Sequence, residues 1–133
     1  MNLELEGKKV LITGASQGIG ASIACKFLEE GSDVIIVSRG SKQLFNTKKN
    51  LQKRFGQDRV MVEKCDCTDQ VSINNLKNKI ITSVGRLDVL VNNVGDGQSV
   101  SDVLPEEIQW SKTWANNFDS SLQTTRAFLP LLQ

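Results

Sequence analysis

The run Val10-Leu11-Ile12-Thr13-Gly14-Ala15-Ser16-Gln17-Gly18-Ile19-Gly20 constrains this chain more than any other stretch. Three apolar residues, two of them β-branched, predict a short strand covered on both faces. Gly14, Gly18 and Gly20 then predict a sharp turn in which no Cβ blocks the backbone from approaching a ligand. A helix opening at about Gln17 would aim its unpaired amides at that ligand and favour an anion. Strand, glycine loop and helix in this order is how doubly wound sheets hold a dinucleotide pyrophosphate. A glycine-rich turn that binds nothing could use the same residues, so the rest of the chain decides.

The alternation continues. Ile19, Ile23, Ala24, Phe27 and Leu28 share one helical face, and Gly31 sits where that helix would end. Residues 33–38 read as a second buried strand. Leu44, Leu51 and Phe55 stripe a second helix, with Ser41 as its cap and Gly56 at its close. Residues 59–64 read as a third strand. Ile73, Leu76, Ile80 and Val84 stripe a third helix, capped by Thr68 or Asp69 and ended by Gly85. Residues 87–91 read as a fourth strand, running into Asn92-Asn93-Val94-Gly95. After a polar loop over 96–104, a helical pattern starts at Pro105. Trp110, Trp114, Phe118 and Leu122 step by four, and the pattern continues through Phe128 and Leu129. Pro130 should kink or end it, because proline has no amide to donate.

Strands alternating with helices predict an α/β fold, a Rossmann-like doubly wound parallel sheet. Right-handed crossovers give the expected strand order 3-2-1-4. The ligand crevice is then walled by the 14–20 loop, the end of the second strand and the 92–95 turn.

Bulk properties narrow the class. A chain of 133 residues without internal repeats is expected to form one domain over 1–133. With 39% hydrophobic and 23% charged residues it is globular rather than disordered. A net charge of +1 argues against a nucleic-acid partner. The cluster Lys42, Lys48, Lys49, Lys53 and Arg54 reads as a solvated helix face. No apolar run reaches membrane-spanning length and the N-terminus lacks a signal pattern, so no membrane partner and a cytoplasmic location are expected. Cys65 and Cys67 flank Asp66, but with no His and only three Cys in the chain no metal site is expected.

The end of the second strand bears on the cofactor. A carboxylate there would grip the ribose 2′-OH of NAD. The position holds Ser38-Arg39 instead, and a guanidinium fork suits a 2′-phosphate. The plain alternative is a surface arginine after a strand. Arg39 also counts against an S-adenosylmethionine site, which would want an acid here. No Gly-Lys-Ser/Thr follows the glycine loop, so it is not a Walker A loop.

On these motifs the chain resembles the short-chain dehydrogenase/reductase family. The family's Thr-Gly-x-x-x-Gly-x-Gly fingerprint stands as Thr13 to Gly20, and its Asn-Asn-Ala-Gly signature as Asn92-Asn93-Val94-Gly95. Its adenine-contacting Asp matches Asp66, and its catalytic Asn on a long helix matches Asn117, followed by Leu129-Pro130. The resemblance implies that Gly14, Ser16, Gln17, Gly18 and Ile19, with Gly20 closing the fingerprint, surround the cofactor phosphates. It implies that Asp66 and Cys67 contact adenine, that Asn93 and Gly95 border the ribose, and that Arg39 marks NADP(H) over NAD(H). Gln17 occupies the position where NADP-using members often carry a second basic residue, so the preference rests mainly on Arg39. Full-length members usually form homo-oligomers.

The family's chemistry, interconversion of a carbonyl and an alcohol on a small molecule, also needs a Ser and a Tyr-x-x-x-Lys. This chain contains no Tyr and no His, and Asn117 alone cannot transfer protons near neutral pH, because an amide does not titrate there. The expectation is the cofactor-binding N-terminal part of an NADP(H)-dependent oxidoreductase, inactive alone and ending before a fifth strand. The competing expectation is a non-catalytic dinucleotide-binding or partner-binding protein on the same half-fold.

Overall fold

The computed structural model describes residues 5–14, 18–40, 42–93 and 120–132. Four strands form one parallel sheet: β1 (Lys9–Thr13), β2 (Asp33–Ser38), β3 (Val60–Lys64) and β4 (Val89–Val91), in the order β3-β2-β1-β4. The connecting helices are α1 (Gly18–Glu29), α2 (Lys42–Phe55) and α3 (Gln70–Ser83), and α4 (Ser120–Phe128) follows β4. A short 3₁₀ turn, Gln57–Arg59, leads into β3. The expected order 3-2-1-4 is the one observed.

The sheet is buried by helices on both faces. Val10, Ile12, Val34, Ile36 and Val60 pack with Ala24, Leu28, Leu44 and Leu51 of α1 and α2. The alternate strand residues Leu11, Ile35 and Val37 pack on the other side with Ile73, Leu76 and Ile80 of α3 and with Ala127 and Phe128 of α4. This is why β1 and β2 are near-continuous Val/Ile/Leu runs: a strand covered on both sides has no solvent face on which to alternate. The helices supply the complementary stripes read from the sequence.

Capping follows the sequence signals. The Asp69 carboxylate accepts from the Val71 amide at 3.1 Å and starts α3. Gly85, at φ +85, closes the helix while its amide donates to the Ile80 carbonyl at 2.9 Å. A left-handed residue at this position satisfies an orphan carbonyl without a Cβ clash.

In the C-terminal segment the helix ends ahead of Pro130 as expected, but its buried face differs from the sequence pattern. Leu122 and Leu129 are exposed, whereas Thr124, Ala127 and Phe128 form the buried side of α4. Steps of four residues advance about 400° around a helix, so such a stripe drifts about 40° per step and leaves the core-facing side. α4 ends at Phe128 and passes into a 3₁₀ turn, Leu129–Leu131, which contains Pro130. The chain then meets the sheet once more. The Leu87 amide donates to the Leu131 carbonyl at 3.0 Å, and Leu132 forms an isolated parallel bridge with Leu87, just ahead of β4.

Candidate functional site

The site lies at the carboxyl edge of the sheet. Gly14, directly after β1, has φ +66, a left-handed conformation that an L side chain resists. Its amide donates to the Val37 carbonyl at 2.7 Å, which ties the turn to the end of β2. Gly18, Ile19 and Gly20 form the first turn of α1. The helix N-terminus therefore faces this edge, as the strand–loop–helix order requires.

Across β1, the end of β4 is fixed by Thr13, which the sequence places at the head of the fingerprint without assigning it a role. Thr13 is fully buried, and its hydroxyl accepts from the Asn93 amide at 3.0 Å and donates to the Val91 carbonyl at 3.3 Å. The Asn93 side chain in turn donates to the Gly14 carbonyl at 3.2 Å. Asn92 Nδ2 donates to Thr125 Oγ1 of α4 at 3.0 Å. The paired asparagines thus clamp one turn and one helix: Asn93 holds the glycine turn, and Asn92 holds α4. The signal for Thr13 was a buried-strand polar residue immediately before a glycine, which needs a partner once desolvated.

Beyond β2, an open cleft of about 420 Å³ is lined by Arg39, Lys64, Cys65, Asp66 and Ser72. The Asp66 carboxylate accepts from the Thr68 amide at 2.9 Å and the Thr68 hydroxyl at 2.6 Å. These bonds, with a smaller pull from the Arg39 guanidinium, hold Asp66 below the usual carboxylate range. The carboxylate stays ionised and turned toward its own loop. Ser72 Oγ donates to Cys65 Sγ at 3.4 Å and accepts from the Asp66 amide at 3.0 Å. Cys65 and Cys67 are both buried against α3 and α4. Hydrogen bonding with the Cys67 thiol draws the Cys65 thiol down to about 7 and pushes Cys67 up.

The structure therefore brings Gly14, Gly18, Ile19, Gly20, Arg39, Asp66, Cys67 and Asn93 to one edge of the sheet, although Cys67 directs its side chain into the core. Ser16, Gln17, Gly95 and Asn117 lie outside the described residues. No group of three or more His, Cys, Asp or Glu suited to a metal ion occurs among the described residues.

The amino edge of the sheet offers a contrast. There Lys9 and Arg59 both pair with Asp33, and Arg59 also donates to the Leu28 and Ser32 carbonyls at 2.8 and 2.7 Å. Its cations are committed to holding strands together. Among the described residues, neither Arg39 nor Lys64 takes part in any such ion pair.

Comparison with known proteins agrees with this fold. The family described as short chain dehydrogenase matches residues 8–133. Among curated proteins, 15-hydroxyprostaglandin dehydrogenase [NAD(+)] of Macaca fascicularis is 32% identical over 92% of this chain and 43% of its own length. A hexahydroindene-carboxyl-CoA reductase of Mycobacterium tuberculosis is 37% identical over 94% of this chain and 48% of its own length. The chain thus spans less than half the length of these relatives. Among solved structures, L-sorbose reductase of Gluconobacter frateurii, complexed with NADPH and L-sorbose, superposes with a TM-score of 0.89 at 28% identity. That match covers 98% of this chain and 49% of the other.

Proposed function

The chain belongs to the short-chain dehydrogenase family, and on that premise we propose that its residues form the dinucleotide-binding domain of an NADP(H)-dependent oxidoreductase acting on a carbonyl or alcohol. The observation that carries the reading is the convergence on one sheet edge of the Gly14 turn, the Asn93 clamp and the Arg39–Asp66 cleft. An extended dinucleotide needs such an arrangement. A helix N-terminus and a left-handed turn suit its pyrophosphate, a cleft over β2 and β3 suits its adenosine, and a turn beyond β4 suits its nicotinamide half.

In this reading the amides of Gly18, Ile19 and Gly20, together with Ser16 and Gln17, surround the phosphates. Asp66 and the Cys67 backbone border adenine, and Asn93 and Gly95 border the ribose. The bound nicotinamide supplies or accepts the hydride. Arg39 meets the 2′-phosphate, where its fork can make paired charge-assisted hydrogen bonds. Asn117 belongs to the proton-relay side of the site. Proton transfer to the substrate oxygen needs an accessible titrating group near neutrality; the 133 residues hold neither His nor Tyr, and the Cys65 thiol is buried in the core against α3. The role of this segment is thus to bind and orient the cofactor.

The two relatives' names point to different cofactors, NAD(+) for the prostaglandin dehydrogenase and NADPH for the sorbose reductase complex. The cofactor reading for this chain rests on Arg39 itself. Arg39→Asp should shift preference from NADPH toward NADH, because a carboxylate repels the 2′-phosphate and accepts from the ribose hydroxyls. An unchanged ratio of the two affinities would reject the assignment.

A further inference from the structure

We infer that Lys64 is a second reader of the cofactor's 2′-phosphate, acting beside Arg39; this rests on the NADP(H) reading above. The β2–β3 register sets Ser38 opposite Lys64, so Arg39 and Lys64 leave adjacent strand ends into the same cleft. Lys64 is exposed, and no ion pair engages it among the described residues. Its neighbour Glu63 is drawn away to Lys79 of α3 at 2.9 Å, so that carboxylate does not compete for it.

The charge balance of the cleft supports the assignment. Arg39 acts on the ionised Asp66 carboxylate, so part of its charge is already answered inside the cleft. A phosphate monoester carries a charge of roughly −1.5 to −2 near neutral pH. Arg39 alone would leave such a group undercompensated beside Asp66. A lysine contributes a point charge with three donors on a flexible stem, suited to a phosphate oxygen that the planar Arg39 fork does not reach. No motif flagged Lys64 in the sequence, because its relation to Arg39 exists only through strand register.

The test is calorimetric titration of the protein with adenosine 2′,5′-bisphosphate and with adenosine 5′-monophosphate. The wild type should prefer the bisphosphate. Lys64→Gln should cut that preference about fivefold, the scale of an exposed charge pair. Lys64→Arg should keep it, and Lys48→Gln, on α2 outside the cleft, should leave it unchanged. If Lys64→Gln keeps the full preference while Arg39→Gln loses it, Lys64 is not a reader and the NADP(H) reading stands. If the wild type does not discriminate between the two nucleotides, both inferences fall.

Discussion

Thr13 is the hinge of the site's architecture, and replacing it with Val tests that directly. The substitution keeps the β-branched shape at a fully buried position and removes the hydroxyl. Two hydrogen bonds go with it, one from the Asn93 amide at 3.0 Å and one to the Val91 carbonyl at 3.3 Å. The second is at the long end of the range and contributes little. The first matters more, because a partly buried amide left unpaired costs about 1–2 kcal/mol. Urea denaturation of Thr13→Val should therefore show a loss of about that size. The local signature is sharper: exchange of the Asn93 amide proton should accelerate, since its acceptor is gone. Thr13→Ser is the informative control. It gives up a buried methyl, at about 0.8 kcal/mol, but keeps the hydroxyl and should leave the Asn93 amide protected. The two variants would then lose similar stability and differ in exchange. Equal exchange at Asn93 in the wild type and Thr13→Val, or equally fast exchange in both variants, would refute the clamp.

Two further consequences follow from capping and titration. Asp69→Ala should destabilise the protein by about 1 kcal/mol through loss of the α3 cap, with Asp69→Asn nearly neutral; thermal melts of the two variants check this, and equal losses would contradict the capping role. Asp66 is held below the ordinary carboxylate range, chiefly by Thr68. A depressed folded-state value means that its contribution is fully present above its unfolded value and is lost as pH falls through the lowered one. Urea midpoints measured from about pH 5 downward should therefore decline in the wild type, and Asp66→Asn should lack that part of the slope; parallel profiles would contradict it.

Much of the fold was legible because the relevant signals were local. β1 and β2 announce themselves as apolar β-branched runs, and β2 spans 33–38 as read. α3 carries its cap, its stripe and its closing glycine in one contiguous segment. The strand order followed from handedness once the elements alternated. Less legible were features created by tertiary contact. The buried side of α4 runs through Thr124, Ala127 and Phe128 rather than Leu122 and Leu129, since a four-residue repeat does not track a straight helix face. The bridge between Leu87 and Leu132 has no sequence signature at all.

The site divides in the same way. Gly14, Arg39, Asp66 and Asn93 were visible as motif positions, because each stands at a strand end at a fixed place in a contiguous motif. Thr13 was visible as the head of the fingerprint but its clamp was not, because it works through a hydrogen bond to a residue far along the chain, and Lys64 was not visible at all, because it meets Arg39 only through strand register. Cys67 was read as an adenine contact, yet its side chain packs in the core beside Cys65, so any contact with adenine comes from its backbone.

If this sheet edge binds a 2′-phosphorylated dinucleotide, isothermal titration of the protein with NADPH and with NADH will distinguish the two cofactors. NADPH should bind saturably and one-to-one, with NADH at least tenfold weaker, a difference of about 1.4 kcal/mol. Equal affinities, or tighter binding of NADH, would contradict it.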